Sequence, residues 1–156
     1  QKDLFKLAAK VGSDVIVGLK FQNVFYNSGT NTIKRYKNKL NLFVLLVKPD
    51  VNCSTKLIYS KNRQFSKQYK NKDISKFGNF FEKDVNDLEK VAFKIYPKIK
   101  RLKDYLNIQK KCIFSRMTGS GSVCVAYFKD YKAARKAEIN LKNKFPNYWC
   151  KLSKAM

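Results

Sequence analysis

The sequence predicts an α+β fold: helices laid on an antiparallel sheet, in a plan close to the ferredoxin-like one. Three observations predict it. Leu42-Phe43-Val44-Leu45-Leu46-Val47 is a continuous apolar run of strand length, the pattern of a strand buried on both faces. Ile99, Leu102 and Leu106, and later Ala134, Ala137 and Leu141, recur at helical spacing. From residue 42 onward the order is strand, helices, hairpin, helix, strand, the order of helices packed on one antiparallel sheet.

Before residue 42 the elements are shorter. Leu4, Leu7, Ala8 and Val11 predict a helix over residues 3–11, stopped at Gly12-Ser13. Asp14-Val15-Ile16-Val17 follows as a short apolar stretch. Residues 20–26 and 32–36 predict a hairpin around Asn27-Ser28-Gly29-Thr30. The polar run Lys37-Asn38-Lys39 is the predicted boundary, dividing the chain into residues 1–38, the end of one domain, and residues 39–156, a second domain. The chain opens inside an amphipathic helix, without an initiator Met or a signal-peptide apolar region, so residues 1–38 are expected to complete a longer domain.

After the strand, Pro49 ends pairing, and Ser54 or Thr55 is placed to cap a helix carrying Leu57 and Ile58. Residues 60–72 read as a charged loop, and helical signals return over residues 80–93. Pro97 opens the helix of Ile99, Leu102 and Leu106. Residues 113–128 hold two apolar runs separated by Thr118-Gly119-Ser120-Gly121-Ser122. Residues 130–145 form a helix, and residues 148–152 the closing strand. There is no internal repeat and no low-complexity block.

Composition narrows the chemistry. The net charge of +23 points first to nucleic acid, but Lys6, Lys34, Lys61, Lys90, Lys111 and Lys142 are spread along the chain rather than gathered into one stripe. Charge of that kind predicts salt-sensitive attraction to any polyanion, not a specific nucleic-acid site. A basic α+β nucleic-acid-binding module is the alternative reading. An RNA-recognition sheet needs aromatics inside its central strand. Those places hold Val123 and Val125, with Tyr127 and Phe128 nearby.

No apolar run approaches the ~20 residues that cross a bilayer. Cys53, Cys112, Cys124 and Cys150 show no C-x-x-C pattern and read as small hydrophobes in a reducing, cytoplasmic setting. With no C-x-x-C pair and no histidine to complete a zinc site, none is expected, and the absence of histidine removes the usual Ser-His and Cys-His nucleophile pairs. Proton chemistry therefore falls to carboxylates or lysine, and no metal ligand set is expected.

Two places could carry such chemistry. The glycines of Met117-Thr118-Gly119-Ser120-Gly121-Ser122 permit positive φ, and the hydroxyls and amides can line an anion site; the same spacing also suits a plain hairpin turn. It is not a Walker A loop, since no Gly-Lys-Ser/Thr follows. Asp14, after the first helix, could serve as a general base on an alcohol, or could simply bond turn amides.

These residues, in order, resemble the GHMP kinase superfamily. Leu7-Ala8-Ala9-Lys10-Val11-Gly12-Ser13-Asp14-Val15 is similar to its L-G-[AS]-D-V-P segment, and the Met-Thr-Gly-Ser-Gly-Ser run to its third, glycine-rich motif. Between them stand Lys48-Pro49-Asp50-Val51-Asn52-Cys53-Ser54-Thr55 with Tyr59, then Asn86-Asp87-Leu88-Glu89, then Tyr96-Pro97-Lys98-Ile99. The set is more similar to the branch acting on a cytidine diphosphate-linked methylerythritol than to the mevalonate, homoserine or galactose branches.

The resemblance implies a C-terminal GHMP kinase domain preceded by the last elements of the N-terminal one. It implies ATP-dependent phosphorylation, with Mg2+ accompanying ATP, of the alcohol's 2-hydroxyl in the non-mevalonate isoprenoid pathway. Asp14 matches the aspartate that takes the hydroxyl proton, and Thr55 and Tyr59 match positions lining the cytidine end. Thr118, Gly119, Ser120, Gly121 and Ser122 match the loop that shapes the phosphate region. The implied partners are the small-molecule substrate and the N-terminal half of the same protein, with neither nucleic acid nor membrane. The family's proline after Asp-Val is Ile16 here, and its Gly-x-Gly-Glu hairpin is Ser28-Gly29-Thr30-Asn31. The family's main ATP loop, P-x-x-x-G-L-G-G-G-S-S-D, and its catalytic lysine are not among these residues, so this chain alone is expected neither to bind ATP well nor to turn over.

Overall fold

A computed structural model describes residues 2–20, 22–27, 32–36, 41–66 and 85–155. The chain divides into two compact units, residues 1–41 with 155–156, and residues 42–154. The run expected to mark a boundary, Lys37-Asn38-Lys39, and the hairpin tip Ser28-Gly29-Thr30-Asn31 lie outside the described residues.

The first unit holds α1 (Lys2–Val11), α2 (Ser13–Gly18), and the antiparallel pair β1 (Asn23–Asn27) and β2 (Thr32–Tyr36), as the hairpin pattern predicts. The stretch Asp14-Val15-Ile16-Val17 is helical and forms most of α2. Arg35, on β2, donates to the Ile16 carbonyl at 2.8 Å and the Lys20 carbonyl at 3.4 Å. It thereby satisfies backbone oxygens that the end of a helix leaves without partners. Of the apolar residues that predict α1, Ala8 is buried, whereas Leu4, Leu7 and Val11 are exposed.

The second unit is a four-stranded sheet of β3 (Phe43–Lys48), β4 (Cys112–Met117), β5 (Cys124–Phe128) and β6 (Trp149–Lys154). The spatial order is β4-β5-β3-β6 and every neighbouring pair is antiparallel. The first and third strands are central, which is the ferredoxin-like arrangement the sequence predicts. The helices are α3 (Thr55–Lys61), α4 (Glu89–Ile95), α5 (Pro97–Asn107) and α6 (Tyr131–Lys144).

The core lies between the sheet and the helices. Leu45 and Val47 of β3 and Cys124, Ala126 and Phe128 of β5 meet Ile99, Leu102 and Leu106 of α5 and Ala134, Ala137 and Leu141 of α6. Each of the two helical triplets recurs at spacings of three and four, so one face of each helix is buried. Full burial of a Leu or Ile side chain stabilises by about 1.5–3 kcal/mol. The expectation for residues 42–47 needs correction, because β3 is fully buried on one face only. Val44 and Leu46, facing the other way, are half-buried. An unbroken apolar run cannot by itself distinguish these two cases, since the second face needs only partial cover.

Helix starts follow local chemistry. Ser54, not Thr55, caps α3: its hydroxyl accepts the Leu57 N–H at 3.2 Å. This helix runs to Lys61, two residues into the expected loop. Pro97 stands at the first position of α5, where its missing N–H costs nothing. Described residues of the predicted 80–93 helix become helical only at Glu89, and α4 then continues to Ile95.

Asp130 caps α6, accepting the N–H groups of Lys132 at 2.8 Å and Ala133 at 3.3 Å and the Lys111 ammonium at 2.8 Å. The Lys111 hydrogen bond, then the two backbone N–H groups, hold its carboxyl below the ordinary 3.8 of an aspartate. A carboxyl depressed in the folded state contributes stability that is complete above its unfolded pKa and is lost as pH falls through its folded one. Asp130→Ala is therefore expected to lower the urea midpoint at pH 7. The gap to the wild type should narrow below pH 4, as read by circular dichroism.

Candidate functional site

Several of the sequence motifs meet at one end of the second unit's sheet, where β4 ends and β5 begins. The turn between them is closed by Thr118 N–H donating to the Val123 carbonyl at 2.8 Å and Gly121 N–H donating to the Thr118 carbonyl at 2.9 Å. Gly119 has φ +51° and Gly121 φ +92°, conformations that L side chains rarely adopt. Among the described residues the N–H groups of Gly119 and Ser120 donate no hydrogen bond, and the buried Ser122 hydroxyl has no partner. Adjacent backbone amides beside a left-handed residue, with hydroxyls around them, form a concavity that suits an anion.

Gly121 is also required by space. A Cβ there would lie 2.9 Å from Met117 Sδ and 3.1 Å from Cys53 Sγ. Gly121→Ala adds backbone strain to that crowding, and overpacking of this kind costs about 1–3 kcal/mol. The expected outcome is a lower urea midpoint and altered NMR shifts for residues 117–122. Gly119→Ala meets strain without crowding, because nothing lies within 4 Å of its Cβ position.

The turn is held from two sides. From α3, the Thr55 hydroxyl lies 2.9 Å from that of Ser120. Tyr59, one helical turn further along the same face, is 53% exposed, so its ring is free to meet a ligand. From the start of α4, the Asn86 side-chain amide donates to the carbonyls of Met117 at 3.0 Å and Gly119 at 2.8 Å, and the Glu89 carboxylate accepts the Met117 N–H at 2.7 Å. The remaining motifs brace this end of the sheet: Lys98 pairs with Asp50 at 3.1 Å, and Ser54 N–H donates to the Tyr96 hydroxyl at 3.4 Å.

The structure thus brings Thr55 together with Ser120 and the rest of the 118–122 turn. Asp14 belongs to the first unit, in the first turn of α2, and is exposed. Spacing and composition gave no role to Asn86, Glu89 or Cys53, since their contacts with the turn span dozens of residues. A cavity of about 610 Å³ opens beside α4, with Arg63, Phe65, Asn86 and Lys90 in its lining. Thr55, Tyr59 and the turn do not line it, but Asn86 and Glu89, which hold the turn, do.

Burial disfavours the reactive thiolate at all four cysteines. Burial pushes the Cys112 thiol up to about 11 and the Cys124 thiol up to about 12. A protonated thiol is a poor nucleophile. Cys124 is fully buried, as its apolar run predicts, whereas Cys53, Cys112 and Cys150 are half-buried. No described helix is long and apolar enough to cross a membrane.

Comparison with known proteins defines the class. Residues 65–147 match the family described as GHMP kinases C terminal. The chain belongs to the GHMP kinase family, as its ordered motifs predict. It is 44% identical over 158 residues to the 4-diphosphocytidyl-2-C-methyl-D-erythritol kinase of Pelagibacter ubique (strain HTCC1062), covering 100% of this chain and 56% of that protein. The protein of the same name from Anaplasma marginale (strain Florida) is 34% identical over 149 residues, covering 92% of this chain and 52% of its own length. The chain spans about half the length of the curated relatives it matches.

Among solved structures, a 4-(cytidine 5'-diphospho)-2C-methyl-D-erythritol kinase superposes with a TM-score of 0.74 at 22% identity, over 96% of this chain and 56% of that one. Homoserine kinase from Cytophaga hutchinsonii gives 0.64 at 15% identity, over 90% and 50%. At these identities the two structures establish the fold.

Proposed function

We propose that this chain is part of a kinase that transfers the γ-phosphoryl group of ATP to the 2-hydroxyl of 4-diphosphocytidyl-2-C-methyl-D-erythritol, a step in isoprenoid precursor synthesis. The observation that carries the proposal is the 2.9 Å contact between Thr55 and Ser120, which makes the α3 start and the glycine turn one continuous surface. The relatives' names support this choice of substrate.

Phosphoryl transfer asks a protein mainly for positioning and charge stabilisation. In this reading Asp14 takes the proton from the substrate hydroxyl as it attacks. The turn fits a phosphate-bearing group: residues Thr118, Gly119, Ser120, Gly121 and Ser122 would border the phosphates, with the Gly119 and Ser120 N–H groups and the Ser122 hydroxyl as donors. Thr55 keeps further hydrogen-bonding capacity beyond its bond to Ser120. Tyr59 offers an aromatic face to the cytidine base. ATP, when bound, supplies the phosphoryl group, and Mg2+ is taken to arrive with its phosphates. The N-terminal half of the protein would provide the main ATP loop.

The test is to incubate the full-length protein with ATP, Mg2+ and the diphosphocytidyl alcohol and follow the new phosphomonoester by phosphorus NMR. Homoserine and mevalonate serve as comparison acceptors. Phosphorylation of the cytidine-linked alcohol alone is the expected result, and preference for either comparison acceptor would overturn the substrate assignment.

A further inference from the structure

We propose that Asn86 is a positioning residue: it sets the direction of the donors in the 118–121 turn without touching substrate itself. The inference rests on the kinase reading above and assigns a role to a residue outside the turn.

The geometry is specific. The two N–H bonds of the Asn86 amide go to the carbonyls of Met117 and Gly119, and its oxygen accepts the Leu88 N–H at 3.1 Å. The opposite amide orientation would set an oxygen against two carbonyl oxygens, so the side chain has one satisfactory orientation. Because a peptide unit is planar, fixing a carbonyl fixes the N–H that follows it, pointing the other way. Holding the Met117 oxygen therefore fixes the Thr118 N–H, which closes the hairpin. Holding the Gly119 oxygen fixes the Ser120 N–H, which has no protein acceptor among the described residues.

Glu89 completes the clamp. Its carboxylate takes the Met117 N–H, so both backbone groups of that residue are tied to the first turn of α4 or the residues just before it. Without Asn86 the peptide between Gly119 and Ser120 loses the bond that fixes its direction: Gly119 tolerates either orientation, and the Gly121 N–H to Thr118 carbonyl bond spans that peptide without selecting one. The Ser120 N–H would then lose its aim, while the hairpin stayed closed.

The experiment uses the full-length protein. Asn86→Asp keeps the side-chain shape and an acceptor for the Leu88 N–H, but places an oxygen against the two carbonyls. A misplacement of about 1 Å can cost on the order of 100-fold in rate, so kcat is expected to fall 10- to 100-fold. Calorimetric affinity for the cytidine-linked alcohol should stay within twofold, and the backbone NMR shifts of Gly119 and Ser120 should move while the Thr118 amide, still bonded to the Val123 carbonyl, keeps its wild-type exchange rate. Asn86→Ala removes the donors without the repulsion, and should show the same split more mildly, which keeps the test open if the Asp variant does not fold. A folded variant that retains wild-type kcat overturns the positioning role alone. A wild-type protein that phosphorylates no alcohol overturns the proposed function instead.

Discussion

Asp14→Asn, placed in the full-length protein, is expected to lower kcat by about 10²- to 10⁴-fold, the range over which general bases contribute. The change swaps one carboxylate oxygen for an amide nitrogen and keeps the side chain's size. Asp14 is exposed in the first turn of α2, so no buried partner is lost. Circular dichroism and the urea midpoint should therefore match the wild type. The alcohol should bind about as well as before, because proton removal is needed in the transition state and not for binding. Turnover within threefold of wild type would remove Asp14 from the reaction and return it to the role of a turn residue.

Phe128→Ala is expected to destabilise the second unit by about 3–5 kcal/mol, the usual cost of deleting a buried aromatic ring. Phe128 is fully buried at the end of central strand β5, paired across the sheet with Phe43 on β3 and Cys112 on β4. The ring is in the shared core of sheet and helices, so the hole cannot be filled by movement of a single neighbour. Ile108→Ala, at a position 76% exposed, is the control and should stay within about 0.5 kcal/mol. Urea titrations followed by Trp149 fluorescence, the only tryptophan in the chain, would measure both. A loss below about 1 kcal/mol for Phe128→Ala would contradict the packing described.

Much of the second unit was legible because its signals are local. Ile99, Leu102 and Leu106 declare a helix face through spacing alone, and all three are fully buried. Pro97 marks the start of that helix for a reason internal to one residue. The hairpin of β4 and β5 is announced by two apolar runs on either side of paired glycines. Where the reading was incomplete, the missing information lay elsewhere in the chain. Whether Ser54 or Thr55 caps α3 depends on which hydroxyl reaches the Leu57 N–H, and the losing hydroxyl, that of Thr55, turns instead to Ser120.

The site divides in the same way. Glycine at positions 119 and 121 could be read as a turn or an anion cradle, and Asp14 as a general base or a turn residue, from the residues themselves; the family resemblance added Thr55 and Tyr59. Asn86 and Glu89 could be seen only as part of a motif. Their work is done 28 to 33 residues away in sequence, on backbone groups that carry no side-chain signature.

The order of strands and helices in the second unit, the start of α5 at Pro97 and the family were determined by the amino-acid sequence, because periodicity, helix-start residues and glycine spacing act over a few residues at a time. Which face of β3 is fully buried, why Gly121 has no room for a side chain, and what holds the turn were decided only when distant segments met. The physical reason is that packing and backbone hydrogen bonds depend on separations in space, and a linear pattern does not contain those separations.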